Sequence, residues 1–261
     1  MALTLAGCAA AALTVSASAA LIDASDPWYT TADATVTRAS TTPGDAIDLT
    51  VDNGSDRERI AANFDTFQLD DEGDQLSLEF DLTLSNLSGT GGFRLGLFHN
   101  GGTPITANST GGVLQNTTDD AGYFIELGVG AAGAAAYRET PEANGILAGP
   151  INVTLGVGGG AGFAGFNDTD PHEVSLLLTR LANSIHLLVK IDGGTAIYVS
   201  DTADGYVTEF NLVAFGMSGS AVYDYELGNV RVNASPVPEP ASLMLLLGLG
   251  GLGFLRRRRH G

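Results

Sequence analysis

Apolar and polar residues alternate along much of this chain. From Gln75 to Leu84 every second residue is Leu or Phe, and the residues between them are polar or charged. A period of two places neighbouring side chains on opposite faces of a strand, so this segment predicts a half-buried β-strand. The same alternation recurs in Phe93/Leu95/Leu97, Tyr123/Ile125/Leu127/Val129, Val174/Leu176/Leu178, Ile185/Leu187/Val189/Ile191 and Val230/Val232.

Turn-forming residues separate these segments, as in Asn100-Gly101-Gly102 and Asp204-Gly205. The clearest predicted hairpin joins Ile185–Asp192 to Thr195–Ser200 through Gly193-Gly194. No long amphipathic helix is predicted between residues 20 and 235. Roughly twelve short strands without helices predict an all-β domain over 20–235, built as an antiparallel β-sandwich of the jelly-roll type.

The order of these features resembles a concanavalin-like, laminin-G-type jelly roll. Members of that fold commonly bind glycans or proteins, and some cleave β-glucans, so the resemblance implies a fold without choosing an activity. The resemblance rests on Phe64–Phe67, the strand at 75–84, Gly122–Leu127, the paired strands at 172–180 and 184–192, and Leu227–Val232.

The first 19 residues are predicted to be a secretory signal peptide. Residues 1–15 are rich in Ala and Leu and carry no charge, and they precede the small-x-small pattern Ala17-Ser18-Ala19. Signal peptidase accepts that pattern, which predicts cleavage between Ala19 and Ala20. Leu5-Ala6-Gly7-Cys8 also resembles a bacterial lipobox, which leaves lipidation of Cys8 as an alternative.

The C-terminal segment 236–261 has a different organisation. Val237-Pro238-Glu239-Pro240 is followed by the uncharged stretch Ala241–Leu255 and then by Arg256, Arg257, Arg258 and Arg259. As a helix the uncharged stretch is about 22 Å long, a short transmembrane span that snorkelling arginines extend. The arginines act as a stop-transfer signal and place the rest of the chain outside the cytoplasm. An ordinary membrane anchor with a Pro-rich neck is the alternative.

This order of a Pro-Glu-Pro triplet, a Gly/Leu-rich apolar segment and a terminal arginine cluster resembles the PEP-CTERM sorting signal of Gram-negative bacteria. The resemblance implies that a membrane-embedded Cys protease, the exosortase, recognises the tail at Val237–Pro240 and removes it. It further implies that the remaining protein passes from a membrane-anchored precursor to the cell surface or an exopolysaccharide matrix. It does not imply what the exported domain does.

Charge and cysteine content exclude several classes of function. The formal net charge is −18, and four of the twelve basic residues are the terminal arginines. Such a surface repels nucleic acid and anionic lipid, so neither is expected as a partner of the domain. The only cysteine is Cys8. A domain beginning at Ala20 therefore has no disulfide, no thiol nucleophile and no cysteine-based metal site.

Catalytic motifs are incomplete. Glu79 and Asp81 share one face of the predicted strand, as carboxylates do in β-glucanases of this fold, but Thr83 and Leu84 stand where the general acid is needed. The serine at Gly216–Ser220 lacks the second glycine of a nucleophile elbow. The four histidines at 99, 172, 186 and 260 have no zinc-ligand spacing. We therefore predict no enzymatic activity and no catalytic or transition-metal cofactor.

Two kinds of binding site remain candidates. Acidic turns at Asp70–Asp74, Asp119-Asp120 and Asn167–Asp170 carry the oxygen ligands of a structural calcium ion, or they are simply solvated. Exposed aromatic residues with polar neighbours typically form glycan-binding platforms. The aromatic candidates are Trp28-Tyr29, Phe98-His99-Asn100, Tyr198, Tyr206 and Tyr223-Asp224-Tyr225.

The sequence thus favours a non-enzymatic protein of the cell surface or extracellular matrix, associated with exopolysaccharide. A dedicated carbohydrate-binding module is the first alternative, and a secreted glycosidase is the second.

Overall fold

The computed structural model describes residues 19–32, 34–53, 58–87, 89–130, 133–141, 145–147, 152–158, 163–219 and 224–237. These residues form fifteen β-strands and no helix. No helix of this part of the chain is therefore long and apolar enough to cross a membrane. The predicted signal peptide up to residue 18 and the predicted transmembrane helix at 241–255 lie outside the described residues.

The strands form two sheets in which all neighbouring strands are antiparallel. Sheet A contains β1 (Ala19–Ala20), β3 (Ala34–Arg38), β4 (Leu49–Asn53), β6 (Gln75–Ser85), β11 (His172–Leu181), β12 (Ser184–Ile191), β13 (Gly194–Asp201) and β15 (Asp224–Ser235). Sheet B contains β2 (Tyr29–Thr30), β5 (Arg59–Gln68), β7 (Gly91–His99), β8 (Ala121–Val129), β9 (Ala134–Glu139), β10 (Val153–Gly158) and β14 (Glu209–Gly219).

Sheet A has the strand order β13-β12-β11-β6-β15-β4-β3, with β1 also paired to β15, and sheet B has the order β10-β9-β8-β7-β14-β5-β2. Strands distant in sequence are thus neighbours in space, as β6 lies between β11 and β15. This arrangement confirms the predicted antiparallel β-sandwich. The described residues form fifteen strands rather than the expected twelve, because strands of only two residues, such as β1 and β2, are too short to show alternation in the sequence.

The predicted strand alternation places the core correctly. On β6 the side chains of Leu76, Leu78, Phe80, Leu82 and Leu84 are at most 2% exposed, and the intervening side chains are not buried. Rings from both sheets meet in the middle of the sandwich. Phe80 of β6 lies edge-to-face on Phe215 of β14 at 5.0 Å between ring centroids, and Tyr225 of β15 lies likewise on Phe93 of β7 at 5.4 Å.

The predicted hairpin is correct apart from its turn. Ile191 pairs with Gly194, so the two turn residues are Asp192 and Gly193 rather than Gly193 and Gly194. Asp192 and Gly193 both have positive φ, at 51° and 76°. That geometry fits the right-handed twist of the flanking strands, and Asp-Gly is a preferred pair for it.

The central strands of sheet B, β7, β8 and β14, are buried on both faces. A second apolar cluster forms on its outer face, where Phe98 of β7, Phe124 of β8 and Leu212 of β14 pack against residues of the connecting segments. Ile105 and Leu114 come from the segment 100–120, and Leu147 follows β9. The covering segment 100–120 is tied to β5, since Asn63 donates to the Ile105 carbonyl at 2.8 Å and accepts from its amide at 3.3 Å.

A buried ion pair joins the edge strand of sheet A to the strand next to the edge of sheet B. Nη1 of Arg138 on β9 lies 3.1 and 3.0 Å from the two carboxylate oxygens of Asp201 at the end of β13. The Tyr123 hydroxyl donates to Asp201 at 3.0 Å and accepts from the Val207 amide at 3.0 Å. Burial, with the nearby Asp201 charge, raises the pKa of Tyr123, so its hydroxyl stays a donor.

Candidate functional site

The two ends of the sandwich lie side by side. Ala19 and Ala20, at the predicted signal-cleavage site, pair with Ala234 and Asn233 of β15. The Val237 amide then donates to the buried carboxylate of Asp74 at 2.7 Å. Ala17, Pro238, Glu239, Pro240 and Arg256–Arg259 lie outside the described residues. The fold therefore holds the chain up to the residue directly before the Pro-Glu-Pro triplet.

An apolar row crosses three strands on the outer face of sheet A. Leu177 of β11 pairs with Leu188 of β12, and Leu188 pairs with Tyr198 of β13. Tyr198 is 60% exposed, and the two leucines are half-buried. We call these three residues the Tyr198 row. With strands roughly 4.8 Å apart, the row extends over about 10 Å.

The orientation of the Tyr198 ring is fixed by a neighbour. Its hydroxyl lies 2.7 Å from Nδ1 of His186, and the two rings meet edge-to-face at 5.5 Å between centroids. Polar side chains border the row on both sides, because Thr179 pairs with His186 and Ser175 pairs with Lys190. The row is thus a flat apolar strip with hydrogen-bonding groups along its edges.

Most other aromatic candidates are not available as a glycan platform. Trp28, Phe98 and Tyr225 are buried, and Trp28 stacks against Phe215 at 6.0 Å. Tyr29 is half-buried against the outer cluster of sheet B. Tyr206 is half-buried beneath the Arg180 guanidinium, 4.6 Å from the ring centroid. Of these predicted positions the structure corrects the three buried ones, whereas Tyr223 lies outside the described residues.

His99 and Asn100 belong to a polar connection. His99 lies 3.2 Å from the Glu209 carboxylate, and Asn100 is buried. The Asn100 amide donates to the Asn211 side chain at 2.9 Å, and the Asn211 amide group donates back at 3.0 Å. These groups anchor the start of the segment 100–120 and satisfy one another, so they do not form an open binding platform.

The carboxylates at Glu79 and Asp81 lie on the outer face of sheet A, as their strand parity predicted. The neighbouring strands add two carboxylates that could not be seen within β6: Glu173 pairs with Asp81, and Glu226 pairs with Thr83. Glu79, Glu173 and Glu226 are exposed.

The acidic turn at 167–170 interacts with a histidine. The two ring nitrogens of His172 lie 3.0 Å from Asp168 and 2.8 Å from Asp192. Partial burial lowers the pKa of His172, but the hydrogen bonds and charges of Asp192 and Asp168 outweigh it and raise that pKa. The histidine borders a cavity of about 340 Å³ together with Phe163 and Thr195.

The other two acidic turns differ from each other. Asp74 closes the turn at 70–74 by accepting hydrogen bonds from the amides of Asp70 and Asp71 at 3.0 and 2.9 Å. Asp120, in contrast, is buried and neither carboxylate oxygen has a partner. Within the described part of the chain, no three His, Cys, Asp or Glu side chains form a group that could hold a metal ion.

Sequence reasoning missed Leu177 and Leu188. Both were hidden in apolar runs, Leu176–Leu178 and Leu187–Val189, in which one residue breaks the alternation. The sequence did contain one indication of them: in two successive strands, an apolar residue occupies a position whose side chain should face the solvent. The sequence alone cannot show that the two positions are directly opposite each other.

Comparison with known proteins bears on the tail and on the fold separately. Residues 236–259 match the PEP-CTERM protein-sorting motif. A search of curated proteins finds no match. Among solved structures, a Lotus tetragonolobus seed lectin aligns with a TM-score of 0.52 and 13% identity, covering 86% of this chain and 100% of the lectin.

Two further structures align more loosely. The Emp46p carbohydrate recognition domain has a TM-score of 0.47 and 14% identity, covering 77% of this chain and 87% of that domain. The carbohydrate-binding module CBM66 from Bacillus subtilis has a TM-score of 0.41 and 11% identity, covering 78% of this chain and 92% of the module. A carbohydrate esterase and a sialidase also align. The chain therefore combines a lectin-like, concanavalin-type jelly roll with a C-terminal PEP-CTERM protein-sorting motif.

Proposed function

We propose that this protein is an exported, non-enzymatic component of the cell surface or extracellular matrix, delivered by an exosortase-type protease. The match of residues 236–259 to the sorting motif carries this proposal. The short distance between fold and motif supports it, since the sandwich holds Val237, the residue directly before the Pro-Glu-Pro triplet. Proline disfavours a helix, and the triplet contains two prolines; an extended segment is what a protease requires of its substrate.

Replacing Pro238-Glu239-Pro240 with three alanines tests the sorting step. We expect the wild-type protein to appear at the cell surface or in the matrix, shortened by the mass of its tail. The variant should remain full-length and membrane-bound, because the apolar stretch and the arginines still arrest it in the membrane. Ser235→Ala, directly before the matched residues 236–259, is the control and should be processed normally. Identical fractionation of all three proteins in a host with an exosortase would contradict the proposal.

A second candidate function is polysaccharide binding at the Tyr198 row. The observation that favours it is an exposed tyrosine of fixed orientation in line with two leucines, which together are about as long as two pyranose rings. Sugar rings pack their apolar faces on such surfaces while their hydroxyl groups bind the polar border. Because the chain is strongly acidic, the polymer it fits is uncharged or cationic rather than anionic.

Affinity electrophoresis in gels containing the host's exopolysaccharide tests this second candidate. Tyr198→Ala should weaken retardation by roughly 5- to 30-fold, the range of an exposed tyrosine at the centre of an interface. Tyr198→Phe should retain most of the binding because the ring remains. Val113→Ala is the control, since Val113 is 37% exposed in the segment 100–120, which covers the outer face of sheet B. Equal retardation of Tyr198→Ala and wild type would exclude the row as the contact surface.

A further inference from the structure

Asp120 is a buried carboxylate without a partner. It stands directly before β8, at the end of the segment 100–120 that covers sheet B, and it is 1% exposed. Neither of its carboxylate oxygens accepts a hydrogen bond. Two other buried acids are satisfied by neighbours: Asp74 accepts three main-chain N–H groups, and Asp201 accepts Arg138 and Tyr123. Leaving a carboxylate buried and unpaired costs several kcal/mol.

The surroundings of Asp120 are negatively charged. Burial is the main cause that raises its pKa to about 8, and the charges of Asp119 and Glu139 add to the effect. Glu139 is itself 5% exposed and accepts the Leu147 amide at 2.8 Å. None of the ion pairs formed by the described residues includes Asp120. A positive charge at this position would therefore interact favourably with more than one carboxylate.

The segment that leads to Asp120 is closely packed at two further points. Thr117 is 1% exposed, and its hydroxyl donates to the Leu114 carbonyl at 2.9 Å. The main chain turns tightly at Gly101, where a Cβ atom would lie 2.5 Å from the Asp119 carboxylate. Carbonyl, hydroxyl and carboxylate oxygens are the ligands of hard cations, whereas transition metals prefer nitrogen and sulfur.

We propose that Asp120, together with Glu139, binds a calcium-type divalent cation that fastens the segment 100–120 over sheet B. Two carboxylates, supplemented by main-chain oxygens and water, form a weak site, with a Kd of roughly 10⁻⁴ to 10⁻³ M as in extracellular modules. The cation neutralises the buried charge and holds Ile105 and Leu114 against the sheet. The proposal is independent of the Tyr198 row and of tail removal.

Thermal unfolding of the full-length protein, with EDTA or with calcium chloride up to about 10 mM, tests the site. We expect calcium to raise the wild-type unfolding midpoint by roughly 2–4 °C, because a ligand that binds only the folded state stabilises it. Asp120→Asn should abolish that shift. In EDTA the same variant should be as stable as the wild type or more stable, since a neutral amide removes the buried charge.

Asp170→Asn is the matched control, because Asp170 is exposed in a different acidic turn and its replacement should preserve the calcium shift. Isothermal titration should detect one calcium site in the wild type and in Asp170→Asn, and none in Asp120→Asn. An unshifted wild-type midpoint would overturn the proposal and assign a proton, not a cation, to Asp120. A calcium shift that survives in Asp120→Asn would equally overturn it.

Discussion

Leu78 is buried and Ser77 is partly exposed because adjacent residues of β6 face opposite sides of sheet A. Leu78 is 0% exposed between the two sheets, whereas the Ser77 hydroxyl donates to Glu79 at 3.2 Å on the outer face. Leu78→Asn should lower the free energy of unfolding by roughly 3–5 kcal/mol, through a lost apolar contact and a buried amide. Ser77→Asn should change it by less than about 0.5 kcal/mol.

Urea unfolding of both variants measures this contrast. The free energy of unfolding of a domain of this kind is about 5–15 kcal/mol. The Leu78→Asn variant should therefore either unfold at a lower urea concentration or be unfolded without urea, and both outcomes agree with the prediction. Comparable losses at the two positions would contradict the observed parity of β6.

His172 makes a pH-dependent contribution to stability. Its folded-state pKa is raised by Asp192 and Asp168, and Asp168 in turn has a lowered pKa with the His172 hydrogen bond as its main cause. Because the pKa of His172 is higher in the folded than in the unfolded protein, the protonated histidine stabilises the fold. This stabilisation is fully present at a pH below the unfolded-state pKa of about 6.5, and it is lost as the pH rises through the folded-state pKa. We expect His172→Gln to destabilise the protein more at acidic than at alkaline pH.

Urea midpoints of the wild type and His172→Gln, compared on both sides of neutrality, check the sign of this effect. His186→Gln is a suitable control, because His186 is hydrogen-bonded to the Tyr198 hydroxyl and not to a carboxylate. A difference between wild type and His172→Gln that grows with rising pH would refute the assigned direction.

The network of Arg138, Asp201 and Tyr123 joins the two sheets at one side of the sandwich. Asp201→Ala removes a buried acceptor and leaves the Arg138 charge uncompensated, which we expect to cost about 3–5 kcal/mol. Adding Arg138→Met should restore part of that loss, because the double variant no longer buries a lone charge. Tyr123→Phe should lower the free energy of unfolding by about 1–2 kcal/mol, because it removes the hydrogen bond donated to Asp201 and the one accepted from the Val207 amide.

A double-mutant cycle by chemical denaturation measures the coupling between Arg138 and Asp201. Strictly additive effects of the two substitutions would show that the ion pair does not connect β9 to β13. The result bears on the fold alone, since neither residue belongs to the Tyr198 row or to the Asp120 site.

In the whole molecule, the N-terminal and C-terminal ends of the sandwich are neighbours. Ala20 pairs with Asn233, and the Leu21 amide donates to the Val232 carbonyl at 2.8 Å. Ala20 and Asn233 are thus the non-hydrogen-bonded pair next to it, with Cα atoms about 4.5 Å apart, within the range that a disulfide spans. We expect Ala20→Cys with Asn233→Cys, made in a Cys8→Ser background, to form a disulfide on export.

Non-reducing electrophoresis and mass measurement detect this cross-link. The pair Ala20→Cys with Thr83→Cys is the control, because Thr83 lies opposite Glu226, far along β15 from Asn233. Absence of the cross-link in the first pair would mean that the N-terminal strand does not stay docked beside the start of the sorting tail.

Local sequence was sufficient for the strands with clear alternation and for the tail. Alternation along Gln75–Leu84 depends only on the two-residue repeat of an extended chain, so it identified the core face of β6 without knowledge of any partner. A turn was recognisable from the local run Asp192-Gly193-Gly194, although the two turn residues are Asp192 and Gly193 rather than the predicted Gly193 and Gly194. The sorting motif is contiguous, and its order of proline, apolar stretch and arginines is complete within residues 236–259.

Long-range pairing decided the remaining features. Arg138 and Asp201 are 63 residues apart, and the Tyr198 row exists only because β11, β12 and β13 align in one register. Parity indicates which face a side chain occupies but not whether another segment covers that face. Phe98 is therefore buried beneath the segment 100–120, whereas Tyr198 on the uncovered face of sheet A remains exposed. The same covering segment encloses Asp120, whose burial no local pattern of charges could reveal.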